Sequence, residues 1–181
     1  MNIQPGKLEG VFHLQPRLFR DDRGYFFEAY NQTNFNAGGI DLVFVQDNQS
    51  FSSKGTLRGL HFQKPQPQDK LVRVLSGQIF DVAVDIRRDS PTFGQWESRI
   101  ISSDEKNQML IPVGFAHGFQ VLSDTAEILY KCTDTYFPSG DRGILWSDPD
   151  LDIPWPLPNP LLSEKDRNLP RLKDLPEVDQ F

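Results

Sequence analysis

Cysteine is almost absent from this chain: Cys132 is the only one among 181 residues. A lone cysteine excludes an intramolecular disulfide and a zinc site built from several cysteines. Histidine is also scarce, with three residues in the whole sequence. Any imidazole chemistry must therefore use one of these three side chains.

Long apolar runs are missing as well. No segment approaches the run of about 18 apolar residues that a transmembrane helix needs. The N-terminal segment MNIQPGKLEG has no apolar stretch of signal-peptide length. Both absences predict a cytoplasmic protein with no membrane partner.

Basic residues are outnumbered by acidic ones, 19 against 25, which gives a net charge of −6 and a pI near 5.0. A general nucleic-acid binder needs a broad basic surface, so the composition argues against that class. A small anionic ligand is still compatible with this charge, because a few clustered arginines can bind it.

Residues 24 to 133 contain a series of short β-like segments separated by turn residues. They are GYFFEAY, LVFVQDNQSF, TLRGLHF, KLVRVL, QIFDVAVDI, WESRIIS, NQMLIP, HGFQVL and AEILYKCT. Such a series is typical of an all-β sandwich or barrel rather than of βαβ units. The chain length fits one domain that spans residues 1–181.

Two of these segments alternate with a period of two. In QIFDVAVDI the hydrophobic positions 80, 82, 84 and 86 alternate with Asp81, Ala83 and Asp85, which predicts a single buried face. In AEILYKCT, Tyr130 shares a face with Ile128 and Cys132. That arrangement predicts that the phenol of Tyr130 points into the interior.

The C-terminal part of the chain has a different composition. Eight of the 14 prolines follow residue 137, and prolines suppress regular strands and long helices. Several large apolar residues, Trp146, Ile153 and Trp155 among them, are interleaved with the prolines, which predicts a tail packed back on the domain. Two short helices are expected, one in NQTNF at 31–35 and one in LLSEKDRNL at 161–169, with Ser163 as the N-cap.

Two of the histidines lie in motifs that resemble the signature motifs of the cupin jelly-roll barrels. His61 ends the stretch GTLRGLH, and Pro112, Gly114 and His117 form a Pro-x-Gly-x-x-His motif in IPVGFAHGF. Metal-binding cupins supply a second His and a Glu at positions where this chain has Gln63 and Lys70. A metal needs several converging N or O donors, and an ammonium repels a cation, so no metal site is predicted.

Taken alone, each histidine is most simply a strand residue whose ring is hydrogen-bonded to the backbone. A pair of histidines in cupin-like motifs with the metal partners replaced instead favours a retained cavity with a different use. An imidazole can exchange a proton near neutral pH, so proton transfer is the use that we expect.

Eight segments together resemble the dTDP-4-dehydrorhamnose 3,5-epimerase family over nearly the whole chain. They are RDDRGYFFE, FVQDNQS, LRGLHFQ, KLVRVLSG, FDVAVDIRRDSPTFGQW, IPVGFAHGF, YKCT and LSEKD. The resemblance implies a cupin-type jelly roll, a homodimer, no cofactor and no metal. It also implies an isomerase that inverts C3 and C5 of dTDP-4-dehydro-6-deoxy-D-glucose to give dTDP-4-dehydro-L-rhamnose.

The implied chemistry needs a base, an acid on the opposite face of the sugar and a cation near the enolate oxygen. By resemblance His61 is the base and Asp166 orients it, Tyr130 is the acid, and Lys70 stabilises the enolate. Outside the family pattern the simpler interpretations are a core tyrosine, an aspartate at a helix start and a solvated lysine.

The resemblance also implies a set of substrate-binding residues. Arginine and lysine side chains suit the two phosphates, an aromatic ring suits the thymine, and the stretch from Arg23 to Glu28 is expected to reach the neighbouring subunit's nucleotide. The predicted residues are Arg23, Phe26, Glu28, Gln46, Asp47, Asn48, Arg58, His117, Tyr136, Asp141, Lys165 and Arg167.

Two positions depart from a simple pattern. Strict alternation places Arg58 and His61 on opposite faces of one strand, so both reach one site only if the strand twists or bulges, as Gly59 permits. Asp141 stands where the family pattern has Glu. If this position contacts the substrate, the shorter aspartate side chain would have to make the contact.

Two other functions fit parts of the same pattern. A related cupin could act at a single carbon, or as a 3,4-ketoisomerase on a dTDP-4-keto-6-deoxy sugar. A non-catalytic cupin could bind a sugar without changing it. Tyr130 favours the 3,5-epimerase over the first alternative, and the set of His61, Asp166, Lys70 and Tyr130 argues against the second.

Overall fold

The computed structural model describes residues 1–181, which form thirteen β-strands, two short α-helices and three 3-10 turns. The strands are β1 (Asn2–Pro5), β2 (Phe12–Gln15), β3 (Phe19–Asp21), β4 (Gly24–Phe26), β5 (Gln46–Ser53), β6 (Leu57–Gln63), β7 (Lys70–Ser76), β8 (Gln78–Asp85), β9 (Trp96–Ser102), β10 (Gln108–Ile111), β11 (Phe115–Val121), β12 (Thr125–Cys132) and β13 (Asp141–Gly143). The α-helices are α1 (Gln32–Ala37) and α2 (Glu164–Arg167), and the 3-10 turns are Pro138–Gly140, Leu172–Asp174 and Glu177–Asp179.

The strands form two stacked antiparallel sheets and a separate hairpin. One sheet has six strands in the order β1-β2-β10-β7-β12-β5, and the other has five in the order β13-β6-β11-β8-β9. The hairpin of β3 and β4 stands apart from both. Most neighbouring strands in the sheets are distant in sequence, β1-β2 and β8-β9 being the two consecutive pairs, and this is the crossing pattern of a jelly-roll sandwich. The all-β prediction is therefore confirmed.

The main core fills the space between the two sheets. It is built from inward-facing aliphatic residues of both sheets, including Val72, Ile79 and Ile128, together with Phe115 and Phe119. Tyr130 packs against this core with its ring only partly covered. The prediction that the side chain of Tyr130 points into the interior is therefore confirmed.

Strand β8 corrects the prediction of a single buried face in QIFDVAVDI, because both of its faces are covered. Val82 and Val84 pack on the outer side of the five-stranded sheet, whereas Asp81 and Asp85 point inward and are fully buried. The outer side is covered by apolar residues of the C-terminal tail, so neither face of the strand meets water. Alternation alone cannot show this, because the tail is far away in sequence.

The proline-rich tail packs on the domain as predicted. Leu151, Ile153, Leu172 and Leu175 join a second core on the outer face of the five-stranded sheet. The indole of Trp155 donates a hydrogen bond of 2.8 Å to the carbonyl of Trp146, which fixes the tail against itself. The tail thus serves as a third layer of the fold.

Both predicted helices are present, and each begins with a side-chain cap. Asn31 accepts a hydrogen bond from the backbone N–H of Asn34 at the start of α1. Ser163 accepts one of 3.1 Å from the backbone N–H of Asp166 at the start of α2. These caps satisfy amide groups that a short helix cannot pair internally. Neither helix has the length or apolar content that membrane crossing requires.

Strand β6 carries a bulge where it pairs with β11. His61 lies opposite His117, and Arg58 lies opposite Phe119, so three steps on β6 match two steps on β11. Gly59 has a φ of 131°, and a Cβ there would lie 2.5 Å from the Cα of Gly118. The extra residue reverses the alternation, which allows Arg58 and His61 to face the same side.

The N-terminal strands are fastened to the five-stranded sheet by a buried pair. Nε2 of His13 lies 2.7 Å from Oε1 of Glu97, and Oε2 of Glu97 accepts a 2.7 Å bond from the backbone N–H of Leu8. Burial tends to raise the pKa of Glu97, but the hydrogen bonds from His13 and Leu8 outweigh it and leave the pKa below its ordinary value.

Gly59→Ala is expected to destabilise the protein by about 3 kcal/mol or more, because the new Cβ meets backbone atoms as well as an unfavourable φ. Gly24→Ala is the matched control, since Gly24 has a φ of 130° and open space around it. The control should lose only about 1–2 kcal/mol. Urea unfolding followed by tryptophan fluorescence gives both values, and equal losses would show that the close approach is not the constraint.

Glu97→Gln should lower the free energy of unfolding by about 2 kcal/mol at neutral pH, since it removes a buried charged acceptor. Because its pKa is lowered, ionised Glu97 stabilises the native state at pH values above its ordinary pKa of 4.5. This stabilisation is lost as the pH falls through the lowered pKa. The difference between variant and parent should therefore shrink on acidification in urea titrations. The exposed Glu105 supplies the control, Glu105→Gln, which should show neither effect.

Candidate active site

A cavity of about 460 Å³ opens between the two sheets near the ends of β6 and β12. Five elements position its predicted side chains: β6, β7, β11, β12 and helix α2. The predicted residues that line it are Arg58, His61, Lys70, His117, Tyr130, Lys165 and Asp166. All four predicted catalytic residues therefore meet at one cavity.

His61 and Asp166 form a short hydrogen-bonded pair across the cavity wall. Nε2 of His61 lies 2.6 Å from Oδ1 of Asp166, whose side chain is 4% exposed against 30% for the histidine. Burial tends to raise the pKa of Asp166, but hydrogen bonds from His61, Ser163 and the Gly59 backbone outweigh it and hold the pKa down. The carboxylate stays ionised, and the other ring nitrogen of His61 is left to exchange a proton.

Lys70 begins β7 and lies half-buried beside this pair. Its Nζ is 3.5 Å from the carbonyl oxygen of His61. Burial lowers the pKa of the Lys70 ammonium, and the nearby carboxylates of Asp141 and Asp81 oppose that effect. A partly dehydrated ammonium acts strongly on an oxyanion in such a site.

Tyr130 is directed into the same cavity from β12. Burial raises the pKa of its phenol, while the positive charge of Arg58 works in the opposite direction. The phenol is therefore protonated at neutral pH and is able to donate a proton. Lys70 lies on the adjacent strand, because β12 pairs with β7 over this segment.

A second histidine–aspartate pair includes His117, which also lines the cavity. Nε2 of His117 is 2.7 Å from Oδ1 of Asp81, and both residues are buried. His117 is the cross-strand partner of His61, so the two imidazoles are neighbours on adjacent strands. Each ring is held at Nε2 by an aspartate.

A second lobe of about 310 Å³ shares His61, Lys70 and Tyr130 with the first. Its remaining walls are rich in amide and hydroxyl groups. The predicted residues there are Gln46, Asn48, Tyr136 and Asp141. The two lobes thus form one cleft, and the three shared side chains lie at its middle.

Charged residues border the opening of this cleft. Arg58 donates a 3.1 Å hydrogen bond from Nε to the hydroxyl of Ser52, which holds its guanidinium beside the cavity. Lys165 forms an ion pair of 2.5 Å with Asp141, and the hydroxyl of Tyr136 donates to the same carboxylate at 3.2 Å. The shorter aspartate thus reaches both neighbours.

Five predicted binding residues lie outside the cleft. Arg23 and Phe26 are exposed on the hairpin of β3 and β4, where Arg23 pairs with Asp21. The remaining three interact with neighbouring side chains. Glu28 accepts hydrogen bonds from Asn31 and Asn34, Asp47 forms an ion pair with Lys131, and Arg167 forms one with Glu164. Their roles in binding stay predictions.

Several lining residues were not predicted from the sequence. Ser50 could have been found, because it continues the alternate face of Gln46 and Asn48 along β5. Asp81, which does not line the cavity but binds the lining residue His117, gave no such signal, since an aspartate in an alternating strand is usually taken as solvent-facing. Leu161 and Leu162 reach the cavity only because the tail folds back.

The position that holds a second histidine in metal-binding cupins has a structural role here. The amide nitrogen of Gln63 donates to the carbonyl of Thr135 at 3.0 Å, and its oxygen accepts from the N–H of Phe137 at 2.8 Å. No group of three or more His, Cys, Asp or Glu side chains is arranged around a point that could hold a metal ion. The donor set that remains suits proton transfer.

Comparison with known proteins identifies the same family that the sequence motifs resemble. A sequence model of the family described as dTDP-4-dehydrorhamnose 3,5-epimerase matches residues 5–174. The dTDP-4-dehydrorhamnose 3,5-epimerase of Pseudomonas aeruginosa is 59% identical over 159 residues, which cover 87% of this chain and 88% of that protein.

Solved structures agree in fold. A dTDP-6-deoxy-D-glucose-3,5-epimerase from Legionella pneumophila, in complex with dTDP-4-keto-L-rhamnose, matches with a TM-score of 0.96 and 46% identity, covering 99% of this chain and 96% of that chain. A 3'-monoepimerase from Streptomyces bikiniensis in complex with dTDP-quinovose matches with a TM-score of 0.88 and 35% identity, covering 93% and 87%. The predicted cupin-type jelly roll is confirmed, and the chain belongs to the dTDP-4-dehydrorhamnose 3,5-epimerase family.

Proposed function

We propose that this protein is an isomerase that inverts C3 and C5 of dTDP-4-dehydro-6-deoxy-D-glucose to give dTDP-4-dehydro-L-rhamnose, without a cofactor or a metal. The observation that carries the proposal is the meeting of a histidine–aspartate pair, a lysine and a protonated tyrosine in one cleft. The names of the relatives and the sugar nucleotide in the Legionella structure support it.

The base is His61. The C4 ketone acidifies the hydrogens on C3 and C5, so a neutral imidazole can remove each of them in turn. Asp166 holds Nε2 and stabilises the imidazolium that forms, as the carboxylate of a catalytic triad does. The ring nitrogen that Asp166 does not bind takes the proton.

The enolate oxygen that develops at C4 needs a cation, and Lys70 supplies it. Its ammonium lies beside His61, between the lobes of the cleft, and burial concentrates its field on that oxygen. The group is in place before reaction, so little reorganisation is needed when charge forms.

The acid is Tyr130, which we place on the opposite face of the sugar from His61. Its phenol donates a proton to the enolate carbon, and delivery from the far face inverts the centre. The raised pKa keeps the proton on oxygen at neutral pH. The phenolate then regains a proton from solvent while His61 releases one, so the protons balance over each cycle.

The nucleotide end of the substrate is assigned to the opening of the cleft. Arg58 and Lys165 are cations within reach of a diphosphate there. Tyr136 is 55% exposed and offers a free aromatic face for the thymine. Gln46 and Asn48 line the adjoining lobe and supply amide groups.

We also infer that the working unit is a homodimer. The hairpin of β3 and β4 extends Phe19, Tyr25 and Phe26 into solvent, with exposures of 52%, 52% and 71%. Adjacent exposed aromatics of this kind mark an interaction surface. Arg23 lies at the hairpin turn and would reach the partner's cleft.

Deuterium exchange tests the reaction itself. Protein treated with chelator and incubated in D2O with dTDP-4-dehydro-6-deoxy-D-glucose should introduce deuterium at both C3 and C5, detected by proton NMR. His61→Ala should slow exchange at both carbons by roughly a hundredfold or more, because no other base is positioned to replace it. Tyr130→Phe should retain wash-out of the hydrogens while losing the inverted product.

The outcomes separate the alternatives. Exchange at C3 alone would indicate a single-carbon epimerase like the Streptomyces bikiniensis relative, and binding of dTDP without exchange would indicate a sugar-binding cupin. A need for added metal would contradict the cofactor-free mechanism. Tyr30→Phe removes a phenol hydroxyl away from the cleft and should leave exchange unchanged.

Subunit mixing tests the shared site. If Arg23 serves the partner's cleft, Arg23→Ala and His61→Ala homodimers are each impaired, but a mixed dimer contains one intact site. Equal mixing after reversible dissociation should restore about a quarter of the parent activity, since about half the dimers are mixed and each has one active cleft.

The control mixture combines His61→Ala with Asp166→Asn, which damage the same cleft of their own subunits. No mixed dimer of that pair contains an intact site, so its activity should stay at the level of the separate variants. Absence of recovery in the first mixture, with dimers present by light scattering, would rule out a contribution of Arg23 across the interface.

A further inference from the structure

The backbone between the end of β12 and the 3-10 turn Pro138–Gly140 belongs to neither sheet. This stretch, residues 133–137, carries the aromatic ring proposed for the thymine, and we call it the Tyr136 segment. Outside a sheet, its backbone N–H and C=O groups have no strand partner and must find hydrogen bonds elsewhere. Three glutamine side chains from other parts of the domain supply them.

Gln63 makes the most extensive of these contacts. It lies on β6 and is 5% exposed. Its Nε2 donates to the carbonyl of Thr135 at 3.0 Å and also to that of Gln66, and its Oε1 accepts from the N–H of Phe137 at 2.8 Å. Thr135 and Phe137 flank Tyr136, so one carboxamide holds the backbone on both sides of the tyrosine. Both of its N–H groups are engaged within the protein, which leaves no donor for a ligand.

The opposite sheet holds the same segment through Gln46 on β5. Its Oε1 accepts a 2.9 Å hydrogen bond from the N–H of Tyr136, and its Nε2 donates to Oδ1 of Asn48 at 3.0 Å. The third glutamine, Gln68, donates to the carbonyl of Asp134 at 2.7 Å. Since β5 and β6 belong to different sheets, the Tyr136 segment is tied to both halves of the sandwich.

The far end of the Tyr136 side chain is held as well. Its hydroxyl donates to Oδ2 of Asp141 at 3.2 Å, and Asp141 is the cross-strand partner of Gln63 in the pairing of β13 with β6. Gln63 therefore supports Tyr136 by two routes, through the flanking backbone and through the strand that carries Asp141. The ring is fixed at both ends and is still 55% exposed.

We propose that Gln63 is a positioning residue for nucleotide recognition, which fixes the Tyr136 segment so that the tyrosine ring is in place before the thymine base arrives. The inference rests on the proposed function, in which Tyr136 stacks on the thymine, and extends it to a residue that does not touch the nucleotide. A ring that is already ordered loses less conformational freedom on binding, which raises affinity for the base. The position of a metal ligand in metal-binding cupins thus serves the nucleotide end of the cleft.

Gln63 also lies two residues from His61 on β6, and both residues line the second lobe of the cleft. A role through His61 would act on proton transfer and would lower kcat. A role through Tyr136 weakens binding of the thymine nucleotide and leaves kcat nearly unchanged. Kinetic constants therefore distinguish the two roles.

Gln63→Met tests the proposal, because methionine has a similar length but cannot form these hydrogen bonds. The Kd of dTDP, measured by isothermal titration calorimetry, should rise roughly tenfold, in line with the contribution of stacking between a base and an aromatic ring. The KM for the sugar nucleotide should rise with it, while kcat stays within about twofold of the parent value.

Inorganic pyrophosphate is the probe that lacks a base. Its Kd, obtained by competition with dTDP, should be the same for the parent and Gln63→Met, because the lost contact concerns only the base. An unchanged affinity for dTDP in the variant would overturn the proposal. An equal loss of affinity for dTDP and pyrophosphate would overturn it too, since the effect would then not pass through the aromatic ring.

A double-mutant cycle with Tyr136→Ala tests the route of the effect. If Gln63 acts through the tyrosine ring, adding Gln63→Met to Tyr136→Ala should change the Kd of dTDP by no more than about twofold. A further loss as large as that caused by Gln63→Met alone would show that Gln63 acts independently of Tyr136, and the proposal would fail.

Gln120→Met is the matched control. Gln120 is a buried glutamine on β11 whose Nε2 donates to the carbonyl of Leu157 and whose Oε1 accepts from the N–H of Leu157, both at 2.9 Å. Both glutamine variants should lower the midpoint of urea unfolding, but only Gln63→Met should weaken dTDP binding. An equal loss of dTDP affinity in Gln120→Met would mean that general loosening explains the effect.

A measurement on the parent protein keeps the proposal testable if Gln63→Met does not fold. The backbone amides of Tyr136 and Phe137 should be protected from hydrogen exchange before dTDP is added, and dTDP should increase their protection only slightly. Rapid exchange of both amides in the free protein, followed by strong protection with dTDP, would show that the nucleotide orders the segment and would overturn the proposal.

These binding and exchange measurements need no turnover, so the two proposals can fail separately. A parent protein that binds dTDP but introduces no deuterium into the sugar would count against the epimerase proposal. Unchanged dTDP affinity in Gln63→Met would count only against the role of Gln63. Absence of dTDP binding by the parent protein would contradict both.

Discussion

One extra residue in β6 determines the architecture of the cleft. Without the bulge at Gly59, Arg58 would lie on the outer face, under the tail, whenever His61 faced inward. The bulge is possible only because Gly59 and Gly118 bring two backbones closer than a side chain allows. The same stretch offers the Gly59 amide to Asp166, so the bulge also helps to hold the carboxylate that binds His61.

The second organising feature is the pairing of charge inside a largely apolar sandwich. Each of the two histidines of the cleft has its own aspartate, and Nζ of Lys70 lies 3.5 Å from the carbonyl oxygen of His61. Buried ions are tolerated when opposite charge and hydrogen bonds accompany them. The cleft can therefore stay strongly polar and preorganised while the sheets around it are held together by aliphatic and aromatic packing.

Much of this could be predicted from local pattern, and the remainder depends on contacts between distant segments. The inward face of Gln46, Asn48 and Ser50 follows from strand alternation, and the cap of α2 follows from Ser163 and its position before the helix. The burial of Asp81 does not, because it depends on which strands flank β8 and on the tail behind it. The hairpin's exposed aromatics likewise acquire meaning only once the sheets leave them unpacked.

The pair of His61 and Asp166 joins positions 105 residues apart, one in the central sheet and one on a four-residue helix in the tail. So short a helix has little stability of its own and is kept in place by the surfaces on which it rests. The tail can open locally at a lower free-energy cost than unfolding of the sandwich. Such an opening would separate His61 from Asp166 while both sheets stayed folded, so the integrity of this pair is tied to a local docking equilibrium rather than to global stability.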